Sequence, residues 1–351
     1  MIFSKSHNQT SNKVPHSFMS MALTFSLVFM GGWLVPQKAD AKKIKVKACT
    51  VAPEGTPWEQ ITKTIKKKLR KASGGNFKLK IYFGGAKGGE PECLAKVVKN
   101  ELQFYGGTLS AMNKHAPALE VFDLPYLFKN SAEADFVLDN HALPLVGKLL
   151  RKAGLETYMW QENGWHNIGA NKFIKAPGDL AGINIRAQPS VVHPLTWSSF
   201  GANPVSLDTD KVTDAFGAKK INAFGQTPLY TFAANWQPHI THYTITQHLY
   251  QPGILVWSKT FYDAQTPETQ KVMKIGQKEL AKEGREGVRN LEPQLIENFR
   301  SYGIKLYTLT PAEAKVFRKQ AKAIHKKYKA QASPDAKQLL EVIEKGKKAF
   351  K

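Results

Sequence analysis

Strands and helices alternate along the first two thirds of this chain, and this alternation constrains the fold more than any other sequence feature. Residues 43–51 alternate β-branched and polar side chains, which predicts a strand. Thr56-Pro57 then begins a predicted helix to about Ala72, because Thr is a favoured N-cap and Pro suits the first helical position. Residues 77–83 predict a second strand. This order predicts βαβ units with parallel sheets, and therefore an α/β fold class.

The later elements follow the same pattern, with a longer helical region towards the C-terminus. Predicted strands lie at 102–108, 155–161, 165–170 and 183–186. Predicted helices lie at 93–100, 132–153, 192–200, 265–301 and from Thr310 onwards. A mature chain of this length is long enough for two domains.

The N-terminus has the pattern of an export signal. A basic, polar leader with Lys5 and Lys13 precedes an apolar run from Phe18 to Val35, and Ala39-Asp40-Ala41 is an A-x-A cleavage site. We therefore expect residues 1–41 to be a signal peptide and the mature protein to be periplasmic. An uncleaved membrane anchor is the alternative, since the apolar run is nearly long enough to span a bilayer.

The chain is strongly basic, with a formal net charge of +22. Its lysine runs are scattered at helical spacing among apolar residues, at 63–70, 319–329 and 345–351. This pattern is typical of solvated helix faces, and we expect no nucleic-acid partner. Attraction of an anionic ligand or a membrane surface, and simple solubility, remain the other two interpretations.

Cys49 and Cys93 are the two cysteines of the chain. After export they would meet an oxidising compartment, where a disulfide can form. Cys49 lies near the end of the first predicted strand, and Cys93 lies in the first turn of a predicted helix. The sequence leaves both a disulfide and two unpaired buried thiols open.

Enzyme motifs are missing from the chain. The loop at 84–89 lacks the Gly-Lys-Ser/Thr ending of a phosphate-binding loop, and neither G-x-S-x-G nor H-E-x-x-H occurs. Three histidines lie close in sequence, but no cysteine or acidic cluster accompanies them, so packing or surface roles are favoured over metal binding: His239, His242 and His248.

Glu90 and Glu92 are a second candidate for enzyme chemistry, as a general acid–base pair. Their two-residue spacing points them apart on a helix, so they are better interpreted as acids at a helix N-terminus. We therefore expect no enzyme activity and no cofactor.

Several segments together resemble the extracytoplasmic receptors of tripartite ATP-independent periplasmic (TRAP) transporters, the DctP-like family. The resemblance extends from about Val46 to Lys351. Each segment is weak alone, but their shared order and spacing make chance similarity improbable. They lie at 51–58, 84–89, 123–128, 162–167, 174–186, 200–205, 228–230 and 251–256.

The resemblance implies a bilobal periplasmic-binding-protein fold. Two α/β lobes would be joined by crossing strands and by a long helix, with a ligand cleft between them that closes around its ligand. The expected boundaries are 42–165 plus about 255–290 for the first lobe, and 166–254 plus about 291–351 for the second. A monomer is expected.

Arg186 is the ligand residue that the resemblance supports most directly, since the matching family arginine pairs with a substrate carboxylate. A guanidinium suits this role because two parallel N–H donors match two carboxylate oxygens. His166 stands where many relatives carry a second arginine, which makes a simple dicarboxylate less expected. Residues 221–229 also depart from the family pattern, and Gln226 and Thr227 could hydrogen-bond a ligand.

Aromatic residues could form the cleft walls, although a place in the lobe cores is the alternative for each of them. Glu54, after the first strand, could contact ligand or cap the next helix. Arg186 with several aromatics favours an organic acid that has an apolar portion. The aromatic candidates are Trp58, Trp165, Trp197, Tyr230 and Trp236.

The sequence thus predicts a receptor that captures a small organic acid and delivers it to the membrane permease subunits of a TRAP transporter. A ligand-sensing partner of a signalling receptor, a receptor for a less polar ligand, and a periplasmic enzyme are the alternatives.

Overall fold

The computed structural model describes residues 43–351, so the predicted signal peptide lies outside the described residues. Within that range, no helix combines the length and the apolar character that a membrane span requires. The strands are β1 (Ile44–Cys49), β2 (Phe77–Tyr82), β3 (Phe104–Thr108), β4 (Leu155–Ala170), β5 (Asn184–Ala187), β6 (Asn203–Ser206), β7 (Ala223–Gln226), β8 (His242–Ser258) and β9 (Lys305–Thr308).

The helices that pack around these strands are numbered in chain order. They are α1 (Pro57–Ala72), α2 (Glu90–Val98), α3 (Ser131–Val137), α4 (Leu143–Lys152), α5 (Val192–Ser199), α6 (Val212–Gly217), α7 (Pro228–Ala233), α8 (Lys259–Asp263), α9 (Pro267–Met273), α10 (Gln277–Ser301), α11 (Pro311–Gln331) and α12 (Pro334–Ala349). A π-helical turn, Leu138–Ala142, joins α3 to α4.

The strands form one mixed sheet, in the order β2-β1-β3-β8-β4-β7-β5-β6, with β9 pairing with β8. Parallel groups lie at both ends: β1 pairs with β2 and β3, and β5 pairs with β6 and β7. The two long strands between them, β4 and β8, run antiparallel to each other; β8 also pairs antiparallel with β3, and β4 pairs antiparallel with β7. The predicted α/β class is confirmed, with antiparallel strands at the centre of the sheet.

β4 and β8 are long enough to belong to both ends of the sheet. Their pairing extends from Leu155 opposite Ser258 to Ala170 opposite His242. β4 was predicted as two strands, 155–161 and 165–170, but it is one strand with a register shift between Glu162 and Gly164. Gly164 has a φ of +102°, a backbone conformation that glycine adopts without strain.

Nothing in the sequence analysis predicted β8 as a strand. Its polar first half and the Pro252-Gly253 pair hide the alternation that marks strands elsewhere in the chain. Pro252 lies opposite Glu162, at the register shift, where the regular ladder is interrupted.

The predicted helical region at 265–301 divides into α9 and α10, because Gly276 adopts a φ of +69° between them. α10 is a 25-residue helix. Near its start, Leu280 packs in a core cluster with Trp58 and Leu255, and near its end Phe299 packs in a different cluster with Phe224. The long helix therefore spans both ends of the sheet.

The apolar cores follow the two ends of the sheet. Two clusters lie around β1, β2 and β3, and two more lie around β5 and β7. α12 was predicted with the second lobe, at 291–351, but Leu339 and Ile343 pack in the cluster that contains Cys93 and Phe122. We therefore propose that α12 belongs to the first lobe, and the other lobe boundaries stay as predicted.

Cys49 and Cys93 are joined by a disulfide, with their Cα atoms 6.2 Å apart. The bond ties the end of β1 to the first turn of α2, and both cysteines are buried. Of the two alternatives that the sequence left open, the structure therefore shows the disulfide and not two unpaired thiols.

Replacing both Cys49 and Cys93 with Ala should lower the free energy of unfolding by about 2–4 kcal/mol, because the bond closes a loop of 44 residues in the unfolded chain. Urea denaturation with and without reductant measures the change. The native protein should lose stability on reduction, whereas the double variant should not respond. Equal stability of the native and variant proteins without reductant would contradict the prediction.

A partly buried ionic network ties α10 to the crossing strands. Arg289 donates to both carboxylate oxygens of Asp135, at 2.8 Å each, and its Nε donates to Glu162 at 2.8 Å. The Tyr250 hydroxyl on β8 donates to the same Glu162 oxygen at 2.9 Å. Glu162 is 1% exposed. Burial raises the pKa of its carboxyl, and Arg289 opposes that shift.

We expect the variant Arg289→Met to lose about 3 kcal/mol of unfolding free energy, because it leaves the Glu162 carboxylate buried without its cation. The double variant Glu162→Gln/Arg289→Met should recover part of this loss. Urea denaturation of the native protein, the two single variants and the double variant gives the coupling energy. Strictly additive losses would show that the pair is not coupled.

Candidate binding cavity

A cavity of about 390 Å³ lies between the two ends of the sheet. Parallel strands direct their carboxyl ends towards it, as in other α/β clefts. The first end of the sheet and its loops contribute Glu90, Pro91, Thr108, Ser110, Ala111, Asn113, Lys114 and Glu120. The crossing strands contribute Asn163 and Gln251. The second end contributes Arg186, Gln188, Pro189, Asp208, Thr209, Gln226 and Tyr230.

Arg186 lies on β5 and is 2% exposed. Its Nε donates to the carbonyl oxygen of Leu207 at 3.0 Å, and its guanidinium carbon lies 5.6 Å from the centre of the Trp236 ring. Nη1 is buried and has no hydrogen-bond partner among the described residues. Burial lowers the pKa of Arg186 to about 10, so it remains cationic near neutral pH. A buried, charged donor without a partner is costly unless a ligand supplies an acceptor.

Glu90 lies opposite, at the start of α2. Its Oε1 accepts hydrogen bonds from the Tyr105 hydroxyl at 2.9 Å and from the Thr108 backbone N–H at 2.7 Å, and its Oε2 accepts from the Thr108 hydroxyl at 2.7 Å. These three donors fix the carboxylate at the wall of the cavity. The sequence predicted that Glu90 lies at a helix N-terminus, but not that it lines the cavity. Its position just after the loop that follows a parallel strand could have indicated this, because such loops form clefts.

Other charged groups complete the lining. Lys114 and Asp208 are exposed, whereas Glu120 is 9% exposed. Both carboxylate oxygens of Glu120 lie 3.3 Å from the backbone N–H of Val191, which precedes α5. Burial raises the pKa of Glu120 to about 7. The cavity thus presents both cationic donors and carboxylate acceptors to a ligand.

His166 lies outside this lining, fully buried on β4. Its ring centre lies 6.0 Å from that of His248 and 6.3 Å from that of His193, and neither of its ring nitrogens has a hydrogen-bond partner among the described residues. Burial, followed by repulsion from His193, lowers the pKa of His166 to about 3. His166 is therefore neutral near physiological pH and does not replace the charge of a second arginine.

No group of three or more His, Cys, Asp or Glu side chains in residues 43–351 is placed to hold a metal ion. Of the three neighbouring histidines in the sequence, His248 is buried, His239 stacks on Phe216, and His242 packs edge-on against Phe173.

The structure brings together three of the seven predicted ligand residues: Arg186, Gln226 and Tyr230. Gln226 accepts a hydrogen bond from the Thr227 backbone N–H at 2.8 Å. Thr227 caps α7, accepting from the Tyr230 N–H at 3.2 Å, and lines only a small adjacent cavity.

The other predicted residues do not line the cavity around Arg186. Glu54 is exposed, and Trp58 is buried in a core cluster and reaches only the small adjacent cavity. Trp197 is 2% exposed beneath Gly225, whose missing side chain leaves room for the indole. Trp165 and Trp236 are also buried. Of the five aromatic candidates, Tyr230 alone lines the cavity. The lining therefore gives no support to the expectation of a ligand with an apolar portion.

A cavity between two sheet ends, joined by crossing strands and a spanning helix, defines the bilobal fold of the solute-binding proteins. Residues 48–331 match the family described as DctP, bacterial extracellular solute-binding protein, family 7. The chain therefore belongs to this family, and the resemblance seen in the sequence is confirmed.

Two curated relatives are similar over most of the chain. The 2,3-diketo-L-gulonate-binding periplasmic protein of Escherichia coli (strain K12) is 25% identical over 248 residues, covering 68% of this chain and 74% of that protein. The C4-dicarboxylate-binding protein of Bacillus subtilis (strain 168) is 22% identical over 288 residues, covering 82% of each chain.

Two solved structures show the same fold. The sugar acid binding protein of Advenella mimigardefordensis, in complex with galactonate, superposes with a TM-score of 0.82 at 20% identity, covering 88% of this chain and 100% of that one. The TRAP periplasmic solute binding protein of Sulfurospirillum deleyianum, with bound succinate, superposes with a TM-score of 0.79 at 19% identity, covering 86% and 99%. The predicted bilobal fold is confirmed.

Folding stability should decrease as the pH falls from about 6.5, because unfolded His166 binds a proton there whereas the folded ring does so only near pH 3. The unfolded state then binds more protons, which favours unfolding. The variant His166→Gln should flatten this dependence, although buried His248, whose pKa is also lowered, will retain part of it. Urea denaturation at a series of pH values measures the slope.

The matched control for this experiment is His239→Gln, which replaces a partly buried histidine outside the cluster of His166, His193 and His248. Its stability should still fall as the pH decreases, because His166 and His248 are retained. A slope for His166→Gln as steep as the native one would show that the His166 ring is charged, or solvated, in the folded state.

Proposed function

We propose that this family member is a periplasmic receptor that captures a small organic acid in the central cavity and delivers it to the permease subunits of a TRAP transporter. The observation that carries the proposal is the buried guanidinium of Arg186, which lines the cavity and whose Nη1 has no hydrogen-bond partner in residues 43–351. A ligand carboxylate would satisfy this donor, and a charge-assisted hydrogen bond in a buried site is strong. The family consists of solute-binding receptors rather than enzymes.

The carboxylates of the cavity narrow the ligand class. Glu90 and Asp208 would repel a second ligand carboxylate placed beside them, but they would accept hydrogen bonds from ligand hydroxyls. Structural neighbours with bound galactonate and glucuronate support a hydroxylated acid. We therefore favour a monocarboxylate that carries hydroxyl groups over a dicarboxylate such as succinate.

Closure of the two lobes would then follow from ligand contacts on both sides. Arg186 belongs to the second end of the sheet and Glu90 to the first, so a ligand that touches both stabilises the closed form more than the open one. The register shift of β4 near Gly164 lies between the two ends and provides the place for the hinge. A permease that recognises the closed form would receive only a loaded receptor.

The variant Arg186→Ala should lower the affinity for the acid about 100-fold or more, because it removes the cation that pairs with the carboxylate. Arg186→Lys should lose less, about tenfold, since it keeps the charge but not the forked donors. Native mass spectrometry of the exported protein identifies the bound acid, and calorimetry with that acid, galactonate, glucuronate and succinate measures the affinities.

Arg318→Ala is the matched control, because Arg318 is an exposed arginine on α11 that packs over Tyr126, away from the cavity lining. It should bind the acid as the native protein does. An acid that binds equally well to the native protein and to Arg186→Ala would remove Arg186 from the site. A ligand without any carboxylate would refute the organic-acid proposal.

A further inference from the structure

The exposed face of α1 carries five cationic side chains. At 100° per residue, they lie on the side of the helix opposite to the buried residues Trp58, Ile61, Ile65 and Leu69. All five are exposed, and they fall within nine residues, or roughly 12 Å of helix. They are Lys63, Lys66, Lys67, Arg70 and Lys71.

This face borders a shallow depression that is open to solvent. The five cations and the turn of Gly74 and Gly75 line this depression of about 530 Å³, and no acidic residue contributes to its lining. Both glycines have positive φ values, +58° and +88°, so the chain turns tightly at the end of α1. Closely spaced charges of one sign reinforce one another's potential at the surface.

Little of this charge is neutralised within the part of the chain that the structure describes. Lys63 pairs with Glu59 at 2.5 Å, but the other four cations have no ion-pair partner there. On other helices, lysines do pair with an acid four residues away: exposed Lys282 lies 3.7 Å from Glu286, and partly buried Lys96 pairs with Glu92. The α1 face is therefore an uncompensated cationic surface.

The face lies away from the ligand cavity. α1 runs from the carboxyl end of β1 back towards the start of β2, so its last turn lies at the amino end of these parallel strands. The cavity is lined from the opposite, carboxyl end, by Glu90 after β2 and by Thr108 at the end of β3. An anion bound at the α1 face would not occupy the ligand site.

We propose that the basic face of α1 is a docking surface for a membrane that contains anionic phospholipids. Charge complementarity carries the choice of partner, because closely spaced cations on a solvent-facing helix are attracted to an anionic lipid surface, and the chain has a net charge of +22. Several weak phosphate contacts made together hold a protein at the surface reversibly. The inference goes beyond ligand capture and does not depend on which acid the cavity binds.

The test is co-sedimentation of the exported protein with vesicles of phosphatidylcholine alone and with vesicles that also contain phosphatidylglycerol. The native protein should bind only the anionic vesicles, and salt should weaken the binding. Replacement of Lys66, Lys67, Arg70 and Lys71 with Gln should weaken it about tenfold or more.

The matched control replaces four exposed lysines of α11, which is the same change in net charge on a different helix. These variants should lose no more than about threefold, because their lysines are spread along a longer stretch of helix. Both variants should bind the cavity ligand with native affinity, which separates a failure of docking from misfolding or a failure of the proposed function. The control positions are Lys315, Lys319, Lys322 and Lys326.

Three results would overturn the proposal. Equal losses in the two variants would show that only the total charge matters. Equal binding of the native protein to neutral and anionic vesicles would exclude an electrostatic surface. Full displacement from the vesicles by inorganic phosphate, at an ionic strength where chloride displaces nothing, would identify the face as a site for free phosphate instead. If a variant does not fold, the salt dependence of native-protein binding still tests whether the attraction to anionic vesicles is electrostatic.

Discussion

The continuous pairing of β4 with β8 is the interaction on which the rest of the structure depends. Their ladder extends from Leu155 opposite Ser258 to Ala170 opposite His242, and every other strand of the sheet is attached, directly or through a neighbour, to one of the two. Because each strand belongs to both ends of the sheet, the two strands connect these ends. The cavity lies between the ends, and Asn163 and Gln251, at the middle of the two strands, line it.

The same pair of strands has a different chemistry on the side that faces α10. Glu162 is next to Asn163 in the chain, yet its carboxylate accepts hydrogen bonds from Arg289 and Tyr250 rather than facing the cavity. Neighbouring strand residues point to opposite faces, so a single segment can line a binding site and anchor the spanning helix. Burial of an ion pair at this point adds little net stability, but it strongly disfavours any arrangement that separates the partners.

Much of the architecture was predictable from local patterns. The strand–helix alternation predicted β1, α1 and β2 nearly to their ends, and the start of α1 after Thr56 followed from capping preferences. β8 was not predictable, because its polar residues and the Pro252-Gly253 pair suit a central, irregular strand only once β3 and β4 flank it. The place of α12 depends on a tertiary contact with Phe122 and its neighbours, which no local pattern encodes.

Some residues of the site, like some elements of the fold, were predicted from the sequence, and others were not. Arg186 was predicted from its match to the family's ligand arginine, and Gln226 from its place in a segment that departs from the family pattern. The structure places each near the carboxyl end of a short buried strand. Ser110, Asn113 and Gln251 were not, since they are distant from Arg186 in sequence and only the tertiary fold brings them to the same cavity. His166 matched a family position, but the register of β4 turns its ring into a buried cluster with His193 and His248.

A crystal structure of the protein with its co-purified ligand would show whether the cavity anchors a carboxylate at Arg186. We expect a ligand carboxylate oxygen about 2.7–2.9 Å from Nη1 of Arg186, with other polar groups of the ligand facing Glu90. A ligand bound in the cavity while Nη1 still has no acceptor, or a ligand bound outside the cavity, would contradict this expectation.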